Sequence, residues 1–284
     1  MTKQELPCAV EKHGFGICHR EIEAWLQDEV LLLPSESEYD LPAGGTKQGG
    51  EPDLPLGVVW PKYSRRGVPG LRNTSKPMTF LVQLRCSDLR PFAPPQFPDH
   101  GLLSFFIAIE QNEWVRDENE RLLGNVLYTS GRTELLTRSP FPHGLYFGNR
   151  LPVSSLKIKS SVGISLDSLH EAIEIHFDDS QEIRDRIWDF YRQELIPTGC
   201  HKLFGPPSTL ELDIIAEVCL MAKIDGQPES DTNHRTNSDW LLLLEFDPTD
   251  LPVDDDGRLY FMIRRDDLVA CRFDMAYLLH DRIV

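Results

Sequence analysis

Two short segments each set a lysine beside glycine and proline: Lys47-Gln48-Gly49-Gly50-Glu51-Pro52 and Lys202-Leu203-Phe204-Gly205-Pro206-Pro207. Such a loop can turn an ammonium group and several backbone N–H groups toward one anion. If the two segments converge, Lys47, Gly50, Lys202 and Gly205 form a single anion pocket. If they do not, each lysine borders a turn, the usual role of loops of this composition. A second candidate is acidic. Asp247, Asp250, Asp254, Asp255 and Asp256 put five carboxylates into ten residues with no base among them, either a dock for a cationic surface or a solvated turn that starts a strand. Calcium does not fit: with Gly257 at the invariant glycine of a calcium loop, Pro252 takes the first ligand position and Ile263 the twelfth.

Other constellations fall short of an enzyme. Gly44-Gly45-Thr46-Lys47-Gln48-Gly49-Gly50 has the composition of a phosphate loop in the wrong order, with no helix pattern after it. Ser154-Ser155-Leu156-Lys157 matches S-x-x-K without its companion motifs. His170-Glu171-Ala172-Ile173-Glu174 begins like a zinc protease helix but holds Glu174 where the second histidine belongs. Cys200-His201 and Cys18-His19 are sequence neighbours, which point in different directions and do not by adjacency make a thiolate–imidazole pair. No catalytic residue, metal ligand or cofactor follows from these patterns, and the reading leans away from an enzyme.

The charge balance narrows the partners. With 29 basic and 45 acidic residues the chain carries −16, which repels a nucleic-acid backbone unless one basic stripe is concentrated. The only basic cluster, Lys62, Arg65, Arg66, Arg72 and Lys76, lies in a Pro/Gly-rich stretch and reads as a solvated loop. A basic protein or a metal ion fits the balance better, though many cytosolic proteins are simply acidic. Six carboxylates within the first thirty residues exclude an apolar signal core, and the longest apolar runs are too short to span a bilayer. The six cysteines are scattered without a C-x-x-C pair and read as reduced thiols, so the expectation is a cytoplasmic protein away from membranes.

The elements that must position these residues are mostly strands. Phe80–Leu84, Leu102–Ile109, Val126–Tyr128, Trp240–Phe246, Leu259–Ile263 and Met275–Leu279 are short apolar runs bounded by Pro, Gly and Asp. Two stretches predict helices. In Glu21–Leu32, Ile22, Leu26 and Val30 recur at spacing four before Pro34. In Ser180–Leu195, Ile183, Ile187, Phe190, Tyr191 and Leu195 share a face, with Asp179 and Glu182 resembling a capping box. The stretch Leu166–Phe177 is ambiguous.

The runs also repeat. The Lys-Gly-Pro segments match at an offset of 155 (Gly50 to Gly205). Phe80–Leu84 with Asp88-Leu89 matches Leu242–Phe246 with Asp250-Leu251 at 162, and Gly101–Ile107 matches Gly257–Ile263 at 156. Three blocks in one order at nearly one offset imply one supersecondary unit used twice, with each half burying its strands against the other. The expectation is an α+β, strand-rich chain of largely antiparallel sheets with an internal duplication and a few flanking helices. It forms one compact domain over 1–284, with repeats at about 45–110 and 200–265 and a helical insert at about 178–196.

In this order the blocks resemble the YwqG-like proteins of bacteria. The matching residues are Lys47 to Trp60-Pro61, Phe80–Leu84, Gly101–Phe106, His201–Gly205, Trp240–Leu244, Asp256–Phe261, Asp266-Asp267-Leu268 and Arg272-Phe273. The chain departs from the family pattern at Gln48, where an aliphatic or aromatic residue is common, and at Pro206. The resemblance implies a duplicated α+β fold in the cytoplasm with no established activity, and an immunity role for those members encoded beside toxins. Three functions stay open: an acidic binding protein for a basic protein, in an immunity role among others; a small-ligand-binding protein or enzyme that uses a cleft between the halves; and a structural protein that self-associates through an uncovered strand edge.

Overall fold

A short apolar run carries backbone donors and acceptors that only a ladder can satisfy once both its faces are covered. The computed structural model describes residues 1–35, 41–64, 75–117, 119, 121–131, 135–195, 199–209, 213–227, 239–253 and 257–281. Ten strands form its main sheet: β1 (Gln27–Pro34), β2 (Lys47–Gln48), β3 (Thr79–Arg85), β4 (Leu102–Ile107), β5 (Gly124–Thr129), β6 (Ser154–Gly163), β7 (His201–Leu203), β8 (Trp240–Phe246), β9 (Arg258–Arg264) and β10 (Tyr277–Asp281). Their order is β5-β4-β3-β2-β6-β1-β7-β8-β9-β10, antiparallel at every pairing. The first matched block therefore lies in β2, β3 and β4 on one side of the central pair β6–β1, and the second in β7, β8 and β9 on the other. Leu81 in β3 and Leu243 in β8, matched residues of the two blocks, each form a bulge against the next strand.

The inner face makes one core. Val30 and Leu32 of β1, Val82 and Leu84 of β3, Phe105 of β4, Leu203 of β7, Leu244 of β8 and Phe261 of β9 pack together, and Phe105 meets Phe261 edge to face at 5.1 Å. Strands from opposite ends of a ten-stranded sheet share a core only if the sheet curls until it nearly closes. At the seam Gly124 of β5 lies against β10: a Cβ there would stand 2.8 Å from Leu278 Cδ2. Among the described residues no ladder joins β5 to β10. Side chains bridge the seam instead, Arg121 reaching Asp225 at 2.6 Å and the Tyr277 hydroxyl donating to Asp225 at 2.7 Å.

The outer face is covered differently on each side. Over β3 and β4, Trp60, Tyr63 and Leu145 from loops and a small hairpin pack on Phe80 and Phe106. Over β8–β10, the helix Ile214–Ile224 sets Ile214, Val218 and Ala222 on Leu242, Tyr260 and Met262. Four further helices form a separate layer with its own apolar centre: α1 (Leu6–Lys12), α2 (His19–Trp25), α3 (Leu166–Glu174) and α4 (Gln181–Phe190). Helix α4 passes into a π-helical turn, Tyr191–Leu195.

The expected helix over Glu21–Leu32 is corrected. Only His19–Trp25 is helical, and Gln27–Pro34 is the central strand β1, hydrogen-bonded on both sides. Val30-Leu31-Leu32-Leu33 is apolar without a break, and burial on both faces erases the alternation that marks a strand. The N-cap of α4 is Ser180, which accepts from Ile183 N, rather than Asp179. Among the described residues no helix is long and apolar enough to cross a membrane.

Candidate functional site

Each lysine of the matched segments sits in a short strand with its neighbours facing the core, so its own side chain points to the outer face. In β7, Leu203 is in the core, and Lys202 lies opposite Glu245 of β8. In β2, Lys47 lies opposite Gln83, while Gln48 pairs with the core residue Val82. Beyond each lysine the chain makes a tight turn through two residues with left-handed backbone, Gly49 and Gly50 (φ 63° and 66°) and Phe204 and Gly205 (φ 58° and 64°). Phe204 accepts a conformation that a side chain disfavours, while its ring packs edge to face on Phe97 at 5.4 Å.

The turn brings the loop back to the ammonium. Lys202 donates from Nζ to the Pro206 carbonyl at 2.6 Å and to Ser208 Oγ at 2.5 Å, with Glu245 at 3.2 Å and Glu29 at 3.5 Å. Ser208 N donates to Glu245 at 3.0 Å, and Arg258 closes the network on Glu245 at 2.5 Å and Asp247 at 3.3 Å. Burial alone would raise the Glu245 carboxyl, yet Lys202 and Arg258 outweigh it and hold the group below its ordinary range.

Lys47 repeats the pattern with its parts exchanged. Its Nζ donates to the Glu51 carbonyl at 2.5 Å, four residues on as Pro206 is from Lys202, and lies 3.6 Å from Asp53. Asp53 N donates to Gln83 Oε1, as Ser208 N does to Glu245. In one half the loop carries the carboxylate and the strand the neutral partner; in the other the strand carries it. Arg138 at 3.0 Å, Gln83 Nε2 at 2.7 Å and Gly44 N at 2.9 Å also serve Asp53. Burial pushes the Lys47 ammonium down to about 8, against the pull of Asp53.

The two ammonium groups do not meet. β6 and β1 separate β2 from β7, about 14 Å across three strand spacings. Lys47 and Lys202 are 1% and 2% exposed, Lys47 held by groups of its own loop and Lys202 by groups of its own half and by Glu29 of the central strand β1. What does join the segments is the pair of neighbouring residues that face inward. His201 Nδ1 accepts from Asp247 N at 3.1 Å, which leaves Nε2 as the donor to Gln48 Oε1 at 2.7 Å, and Gln48 Nε2 donates to Asp250 at 2.9 Å. Gln48 thereby bonds the first matched segment to the second.

Acid–base chemistry is disfavoured here. Burial and then Arg258 push the His201 imidazole down to about 3, and burial pushes the Cys200 thiol up to about 11, so neither ionises near neutrality. Ser154 donates to the Ser35 carbonyl, and Lys157, three residues along the same strand, faces the opposite side of the sheet. His170, Glu171 and Glu174 lie on α3, and among the described residues no group of three or more His, Cys, Asp or Glu side chains is placed to hold a metal.

Asp254, Asp255 and Asp256 lie outside the described residues. Asp247 and Asp250 serve Arg258 and Gln48. Asp250 is exposed, as are carboxylates in several other parts of the chain, but the stretch 167–189 of the helical layer holds seven: Asp167, Glu174, Asp178, Asp179, Glu182, Asp185 and Asp189. The lysines and arginines of that stretch are Arg184, paired with Asp179, and Arg186, folded over Phe15 at 4.8 Å; exposed Lys12, Arg20 and Arg192 stand elsewhere on the layer. In the sequence these carboxylates are spread over 23 residues and stand out less than the denser aspartate triplet. The lysines' partners had a signal too, a polar Gln83 and Glu245 at matched positions of otherwise apolar strands.

Compared with known proteins, residues 46–281 match the sequence signature of a family described as a domain of unknown function, DUF1963. No curated protein matches the chain.

Proposed function

The chain belongs to DUF1963, the domain of unknown function typical of YwqG-like proteins, and from that premise we propose that it is a non-catalytic cytoplasmic binding protein whose acidic helical layer docks a basic protein. The observation that carries this reading is the concentration of seven exposed carboxylates between Asp167 and Asp189 beside one exposed arginine. A field of one sign on a firm surface steers a partner of opposite charge and fixes its approach. Helices α3 and α4 are anchored by Leu169, Ile173, Ile183, Ile187 and Phe190, so the carboxylates stand on a packed support. The satisfied lysines and the non-ionising Cys200 and His201 favour binding over catalysis. Neutralising a toxin is the form of such binding that the YwqG-like resemblance suggests.

Native mass spectrometry of the protein purified gently from its own cells tests the proposal. The expected result is a complex of fixed stoichiometry with a basic protein, lost when Asp178, Asp179, Glu182 and Asp185 are replaced by asparagine or glutamine. The complex should also weaken as salt shortens the screening length from about 10 Å at 0.1 M toward 3 Å at 1 M. A bare chain, or a complex indifferent to the four substitutions, overturns it.

A further inference from the structure

The loop-covered outer face of β3 and β4 carries a second surface of different chemistry. Leu56, Val59, Leu135, Tyr146 and Phe147 are 90%, 73%, 70%, 64% and 77% exposed. Leu136 pairs with Pro55 across a two-stranded ladder, which brings together the segments that carry Leu135 and Leu56. Val59 precedes Trp60, whose ring meets Phe141 at 6.2 Å. The Arg150 guanidinium then lies over Phe141 at 4.4 Å and over Phe147 at 5.3 Å. Soluble proteins seldom leave so many large apolar side chains together unless something covers them.

Arg150 says what kind of group covers them. Among the described residues its side chain has no ion pair and its buried Nε has no hydrogen bond, although nearly every other basic group near this face is engaged: Lys76 with Glu110 and Arg138 with Asp53. The nearby Glu51 carboxylate accepts from Phe141 N instead. A planar guanidinium held against two rings keeps its fork in place for a planar anion, and a carboxylate matches it with two parallel bonds. Lys62, exposed two residues after Trp60, adds positive charge at the rim.

We infer that this face is a second docking surface, which takes a peptide segment of another protein carrying a carboxylate flanked by apolar side chains. The carboxylate pairs with Arg150 and the apolar residues cover Leu56, Val59 and Phe147. The partner's chemistry is opposite to that expected at the acidic helices, so the protein can hold two different chains at once. The inference does not rest on the helical reading, and the four helix substitutions leave it untouched.

The test is a random-peptide display selected on the full chain and depleted against an Arg150→Gln variant, followed by titration of the best peptide. Enriched sequences should share Asp or Glu between apolar residues. Replacing that acid by its amide should weaken binding at least tenfold, the range of one hydrogen bond to a charged group, and Arg150→Gln should do the same. Arg150→Lys should fall between, with thermal unfolding of both variants matching the parent. No enrichment, enriched peptides without a carboxylate, or binding unchanged by Arg150→Gln overturns the inference. Full displacement by millimolar inorganic phosphate also overturns it, because the site then reads a free anion rather than a peptide.

Discussion

Lys202→Met removes the cation that stands between two buried carboxylates while nearly keeping the volume of the stem. Glu29 and Glu245 are 2% and 0% exposed by side chain and lie 3.5 and 3.2 Å from the ammonium. Glu245 retains Arg258, but Glu29 has no other basic partner among the described residues. An orphaned buried charge costs about 3–5 kcal/mol, far more than the intact pair contributes. Lys47→Met differs, because Asp53 keeps Arg138, Gln83 Nε2 and Gly44 N. The main loss there is one bond to the Glu51 carbonyl, about 1 kcal/mol. Two residues at matched places in similar turns should therefore differ by about 2 kcal/mol or more on deletion, given the two ranges above. Urea unfolding at pH 7 with unchanged m-values measures the difference. Adding Glu29→Gln to Lys202→Met should restore about 1 kcal/mol or more by neutralising the orphan. Equal losses, or a larger loss at Lys47, would refute the assignment of the charges.

Further outcomes follow from the same geometry. The Lys47 ammonium is held near 8 against an ordinary 10.5, so between those values the unfolded chain binds the extra proton and stability rises with pH. The cost of Lys47→Met should grow by about 2 kcal/mol from pH 8 to 9.5, checked by urea unfolding at both. His201 is held near 3 against 6.5, so its contribution is complete above 6.5 and fades as pH falls toward 3. The cost of His201→Gln, about 1–3 kcal/mol at pH 7 from the partners it strands, should shrink by about 2 kcal/mol at pH 4.5. Gly49→Ala drives a Cβ to 2.1 Å from the Pro152 carbonyl oxygen at a φ of 63° and should lower stability by about 3 kcal/mol or more. Gly57→Ala, with open space around it, should cost only about 1 kcal/mol, as the difference in melting temperature will show.

Much of the sheet was legible because its apolar runs are interrupted sharply. Trp240–Phe246 is bounded as β8, and Phe80–Leu84 falls inside β3. The central strands were not. β1 is apolar on both faces at its middle, which a helical period fits equally well over a few residues. β6 alternates buried Leu156 with exposed Lys157 and Lys159, a strand period hidden beneath the S-x-x-K pattern. The matched lysines were legible as a pair but not as buried groups, since burial depends on Glu29 and Glu245 meeting Lys202 from distant parts of the chain and on a local turn folding Asp53 back to Lys47. The charge of −16 was plain; that seven of the exposed carboxylates lie on and between α3 and α4 required knowing which faces of those helices are anchored.

The seam between β5 and β10 has a consequence for how the protein comes apart. Each outermost strand leans on the other half through Gly124, Leu278 and the Arg121–Asp225–Tyr277 clasp. Neither half can melt without baring a strand border of its counterpart, so the halves lose structure as one cooperative unit. A border that rests against the opposite end of its own sheet is also withheld from the strand edges of neighbouring molecules.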